Sequence, residues 1–146
     1  MVLANVNKTV VNVDLELDTG VVVTPVAFTS DTTDGDTETL IIIPTRPGRK
    51  LVLIVNNVAG AQGNITLTCA AGNYWAAQAM TPVVVAQGTS KAVVFTPARY
   101  QITTGIEATE GKIIVVVTPV HQLVTDHTAT WQCFQLPGVD RRLPYA

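Results

Sequence analysis

Apolar and polar positions alternate along much of this chain, and runs of Val, Ile and Thr recur between turn-forming residues. Alternation with a period of two marks a strand, whose successive side chains face opposite sides of a sheet. Ten segments fit: residues 9–17, 21–28, 38–43, 50–56, 64–69, 83–86, 91–95, 100–104, 112–118 and 128–134. Most end in Gly, Pro, Asn or Asp, the usual boundaries of strands. The pattern is clearest at 64–69, where Ile65, Leu67 and Cys69 should point inward and Thr66 and Thr68 outward. No window keeps apolar residues at i, i+3, i+4 and i+7, so no long helix is expected. Only residues 74–80 (YWAAQAM) have mild helical propensity, and Pro82 limits them to one turn.

Short strands at intervals of about 8–14 residues predict an all-β fold, a single-domain antiparallel β-sandwich of jelly-roll-like type. The runs at 40–43 (LIII) and 113–117 (IIVVV) are apolar on both faces and therefore need cover on both sides. In a small sandwich the second cover is often another subunit, a first indication of an oligomer. The expected organisation is an N-terminal arm over 1–8, the sandwich over 9–136 and a C-terminal arm over 137–146. Pro137, Gly138 and Pro144 disfavour regular structure in that last segment, and Arg141 and Arg142 keep it hydrated. Fully extended, residues 136–146 reach about 35 Å.

Composition sharpens this picture. The chain has 146 residues, 47% hydrophobic and only 14% charged, the opposite of a disordered chain and too little charge to cover a monomer's surface in the usual way. A net charge of −2 offers no electrostatic case for nucleic acid. No apolar run approaches the ~18 residues of a membrane helix, and no secretory leader is legible, so a soluble chain made in the cytoplasm is expected. In that compartment Cys69 and Cys133 read as buried thiols rather than a disulfide.

Candidate chemistry is sparse. His121 and His127 with Asp126 offer two imidazoles and a carboxylate, but their spacing is a poor match for zinc. No nucleophile elbow, phosphate loop or dinucleotide fingerprint is present. A small hydrolase built on those histidines is the weakest reading; neither an enzyme nor a cofactor is expected. Asp31, Asp34, Asp36 and Glu38 surround Gly35 with hard oxygen ligands of the kind calcium takes, though their spacing departs from the helix–loop–helix calcium loop. The plainer reading is a solvated loop rich in Asx and Thr turns. Glu107 and Glu110 fall in a turn where exposure suits them better than glycosidase pairing. Tyr74, Trp75 and Trp131 could stack on sugar, as in a carbohydrate-binding or adhesin-type module, although core or subunit contact suits so few aromatic residues better. Arg46, Arg49 and Lys50, and the pair Arg141 and Arg142, suit an acidic partner protein rather than nucleic acid.

The stretch LIIIPTRPGRKLVLIVNN, followed by NITLTCAAGNYWAAQ, VVVAQGTSKAVVFTPARYQI and EGKIIVVV, resembles the auxiliary or decoration (cement) proteins of tailed bacteriophage capsids, most closely those of thermophilic long-tailed phages. The likeness spans roughly residues 38–118 and rests on structural rather than catalytic motifs. It implies a jelly-roll-like sandwich that assembles as a homotrimer. Such a protein would bind the outer surface of the expanded capsid and hold neighbouring copies of the major capsid protein together, with no catalysis and no direct contact with nucleic acid or membrane. Its place would be the virion. Contacts with neighbours are expected from Val2, Leu3 and Val6 in the first arm, from Arg46 and Arg49, and from Arg141, Arg142, Leu143 and Tyr145 in the second.

Overall fold

A computed structural model describes residues 5–11, 13–14, 20, 24–28, 37–45, 49–57, 63–72, 77–102, 111–120 and 129–137, with backbone alone for those before residue 20. Among the described residues, ten strands and one helical turn follow in order: β1 (Asn5–Val11), β2 (Val13–Asp14), β3 (Val26–Ala27), β4 (Thr37–Ile43), β5 (Leu51–Asn57), β6 (Ile65–Cys69), β7 (Val83–Val85), β8 (Thr89–Phe95), α1 (Pro97–Tyr100), β9 (Ile113–Pro119) and β10 (Thr130–Gln135). They form two sheets. The first runs β1-β4-β9-β6-β7 and the second β2-β10-β5-β8, with β3 also paired to β10. The all-β sandwich expected from the alternation is thus the observed architecture.

The core lies where the inward positions of the two sheets meet. Leu40, Ile42, Ile65, Leu67, Ile113, Val115 and Val117 come from the first sheet; Leu51, Leu53, Val55, Phe95, Trp131 and Cys133 come from the second. Each large aliphatic side chain buried here contributes about 1.5–3 kcal/mol. β6 shows the predicted alternation, with Ile65, Leu67 and Cys69 buried and the two threonines between them half-buried.

Several expectations need correction. β1 begins at Asn5, so residues 5–8 belong to a strand and not to an arm. Val6 lies on this strand, in register with Glu38 of β4. Asn5 and Asn7 fall at alternate positions of β1, and an edge strand tolerates polar residues there. The pairings of β1 with β4 and of β2 with β10 are parallel, whereas the other ladders are antiparallel. A parallel partner cannot arrive through a tight hairpin, and residues 12–36 provide the long connection it needs. Only Asn12 separates β1 from β2, so one N-terminal segment serves first one sheet and then the other.

The strand expected at 100–104 is absent over its described residues. Its start is the end of α1, with Pro97 in the first helical turn, where a fixed φ suits the helix and no N–H is wasted. In the segment expected to make a helical turn, residues 77–80 are irregular and 74–76 lie outside the described residues. Gly72 and Gln78 are instead held against α1, both donating to Arg99 O. Gly72 N donates to Arg99 O at 2.9 Å, and a Cβ at Gly72 would run into the backbone carbonyls of Tyr100 and Gln101. Glycine is required there by close approach. Tyr100 closes this corner edge-on to Phe95, ring centroids 5.4 Å apart.

Candidate interaction surfaces

Two buried amides fix the geometry on which the outer surfaces are built. Asn57, at the end of β5, donates through Nδ2 to Val85 O and to Gly63 O, each at 3.1 Å, while its own carbonyl accepts from Gly88 N at 2.6 Å. This joins the second sheet to β7 of the first and fixes the turn into β8. Gly88 adopts φ +79°, which suits glycine in that turn. Gln135, at the end of β10, accepts from Thr45 N at 3.2 Å and donates to Thr45 Oγ1 at 3.3 Å, tying the turn after β4 to the opposite sheet.

With the inner faces committed to the core, alternation leaves the intervening positions outside. On the first sheet, register sets out the rows Ile41–Ile114, Thr39–Val116–Thr68 and Thr118–Thr66–Val84. On the second, three rows cross from β10 through β5 to β8: Phe134–Val52–Val94, Gln132–Ile54–Ala92 and Thr130–Asn56–Ser90. Val52 is only 8% exposed despite its outward position, while Val94 at the edge is 53% exposed. The charged residues with described side chains are Glu38, Arg49, Lys50, Lys91, Arg99 and Lys112, and none of them occupies an outward position of either sheet. Lys91 sits opposite Val55 on the core-facing side of the β8 edge; Arg49, Lys50, Arg99 and Lys112 lie between strands or in α1.

Of the residues singled out in the sequence, Glu38 lies on β4 with its side chain wholly buried among core positions, not in the acidic loop. Its period-two place before Leu40 and Ile42 was the available signal. Asp31, Asp34 and Asp36 lie outside the described residues, as do Val2, Leu3, Arg46, Arg141, Arg142, Leu143, Tyr145, His121, Asp126, His127, Tyr74, Trp75, Glu107 and Glu110. Trp131 is buried in the core and is therefore unavailable to a sugar-stacking platform. Arg49 is half-buried just before β5. Cys69 and Cys133 are free, buried thiols, and desolvation pushes the pKa of each up to about 12. No group of three or more metal-ligating side chains occurs among the described residues. No described helix is long and apolar enough to cross a membrane.

What the arrangement offers is contact surface: two uncharged faces, the first of them β-branched, and an edge strand. No protein-family model, curated protein or solved structure matches the chain.

Proposed function

We propose that this chain is a capsid decoration protein, a virion structural protein that binds the outside of an expanded phage shell as a homotrimer and clamps neighbouring major capsid subunits without covalent chemistry. One observation carries the reading: no described outward position of either sheet is charged, the first face being built of Thr, Ile and Val and the second of apolar and uncharged polar residues. Designed and natural monomer surfaces usually carry about 25–35% charged residues. Faces without them lose little on desolvation and gain from burial against another protein. The sequence resemblance over residues 38–118 supports the same role.

Clamping of this kind is mass action. A ligand that binds only the expanded shell stabilises it by about 2.7 kcal/mol per site when present at 100 times its dissociation constant. Three linked subunits that engage together raise the apparent affinity by a factor of roughly 10²–10⁴ over one alone.

The test is sedimentation of the purified chain, alone and with expanded shells assembled from the major capsid protein of the same genome. The expected result is a trimer that co-sediments saturably with expanded shells and raises their thermal dissociation temperature. A monomer that leaves the shells unbound overturns the proposal.

A further inference from the structure

We infer that one end of the sandwich is a basic corner, formed by Arg49, Lys50 and Arg99, that binds a carboxylate-rich surface of a partner protein. The three cations come from separate parts of the chain and are brought to one end by the second sheet. Leu51 pairs with Phe95, so Arg49 and Lys50 lead into β5 where β8 runs out into α1, which carries Arg99. Leu136 N donates to Lys50 O at 2.8 Å and holds the β5 side of the corner to the end of β10. Ile102 N, just beyond α1, donates to Lys112 O at 2.9 Å, which sets Lys112 at the same end. Of the cations with described side chains only Lys91 lies elsewhere, four residues before Phe95 on β8 and so about 13 Å up the strand.

Lys50 and Arg99 are exposed and Arg49 is half-buried. None of the three makes an ion pair among the described residues. Glu38, the one acid with a described side chain, is buried at the opposite end of β4. Asp14 shares the basic end at a register position beside Gln135, on the far side of β10 from β5. Glu107 and Glu110 belong to the connection that leaves at Ile102 and returns at Gly111, outside the described residues. Like charges held near one another without a counter-charge repel, and the carboxylates of a partner relieve that repulsion.

A nucleic-acid strand is the other anionic partner such a corner could meet. Strand binders interleave aromatic rings on which bases stack, and the ring at this corner, Tyr100, is half-buried and set edge-on to Phe95. A chain of net charge −2 gives a polyanion no general attraction, whereas a local acidic patch on a protein meets the corner alone. The guanidinium groups of Arg49 and Arg99 suit carboxylates, which they can hold through two parallel hydrogen bonds. The uncharged sheet faces carry no electrostatic register, so the charge at one end orients whatever protein approaches them. The corner does so whether or not that protein is a capsid subunit.

Fluorescence anisotropy of a labelled hexaglutamate peptide, titrated at low salt with the purified full chain and without shells, tests this. Saturable binding is expected, and raising the salt should weaken it. The variant Arg49→Gln, Lys50→Gln, Arg99→Gln should bind roughly tenfold more weakly, whereas Lys91→Gln, an equal loss of charge per site away from the corner, should change affinity by less than about twofold. Should the triple variant lose its native circular dichroism, the exposed single changes Lys50→Gln and Arg99→Gln decide, each with an expected loss of about two- to threefold. A thymidine oligonucleotide of equal charge is expected to bind no more tightly than the peptide. Absence of peptide binding, unchanged binding by the neutralised variants, an equal loss with Lys91→Gln, or tighter binding of the oligonucleotide overturns the inference.

Discussion

Burial does different things to the two cysteines and to the two buried amides. Asn57 and Gln135 remain polar groups with partners, and each uses its hydrogen bonds to join the end of a second-sheet strand to a strand of the first sheet or the turn beside it. Cys69 and Cys133 behave as small hydrophobes whose ionised form the core rejects. In the unfolded chain a thiol ionises near its ordinary value of about 9, and in the folded chain only near 12. Between those values the unfolded state releases protons that the folded state keeps, so stability is full below pH 9 and falls as pH rises towards 12. Denaturant unfolding across that range should show the loss, and a Cys69→Ala, Cys133→Ala variant should show a shallower slope. At pH 8 neither thiol should react with a maleimide faster than the protein unfolds.

At the scale of the element, period two was a reliable guide wherever one face of a strand met the core. β4 to β10 all lie within two residues of their expected bounds, because burial on one side forces the alternation that the sequence displays. Glu38 shows the same rule overriding residue type: a carboxylate in phase with Leu40 and Ile42 goes inside with them. β1 was placed four residues late, since an edge strand need not alternate cleanly to be paired. α1 was missed because a single helical turn has no period to read, and its position depends on close contact with Gly72 far away in sequence. The outer faces were legible only as a surplus of apolar residues in LIII and IIVVV. Adjacent residues on β9 separate the two roles. Val115→Lys places an unpaired charge in the core and should cost several kcal/mol in a denaturant melt, enough to unfold the domain. Ile114→Lys lies on the outer face and should cost about 1 kcal/mol while removing shell binding.

Across the whole molecule, the described chain changes sheet at every step from β4 to β10 except between β6 and β7. Neither sheet is made from one contiguous stretch, so the sandwich forms as a unit and a defect in either sheet is felt in both. The two termini stand differently towards that unit. The N-terminal segment is woven into it, with β1 pairing along the whole of β4 and β2 closing the far end of β10. The last strand ends at Gln135, and Leu136 N still donates to Lys50 O at 2.8 Å. Deleting residues 137–146 removes none of the described strands or backbone hydrogen bonds. The sandwich should therefore keep its melting temperature within about 2 °C, whereas deleting residues 1–11 exposes the edge of β4 and should lower it by more. If the C-terminal segment is the arm that reaches a neighbouring subunit, its loss acts three times in a trimer, and shell affinity should fall by a factor of roughly 10²–10⁴ with folding intact. Full decoration by the truncated protein would move the clamp from the arm to the uncharged sheet faces, where Ile114→Lys alone should then abolish it.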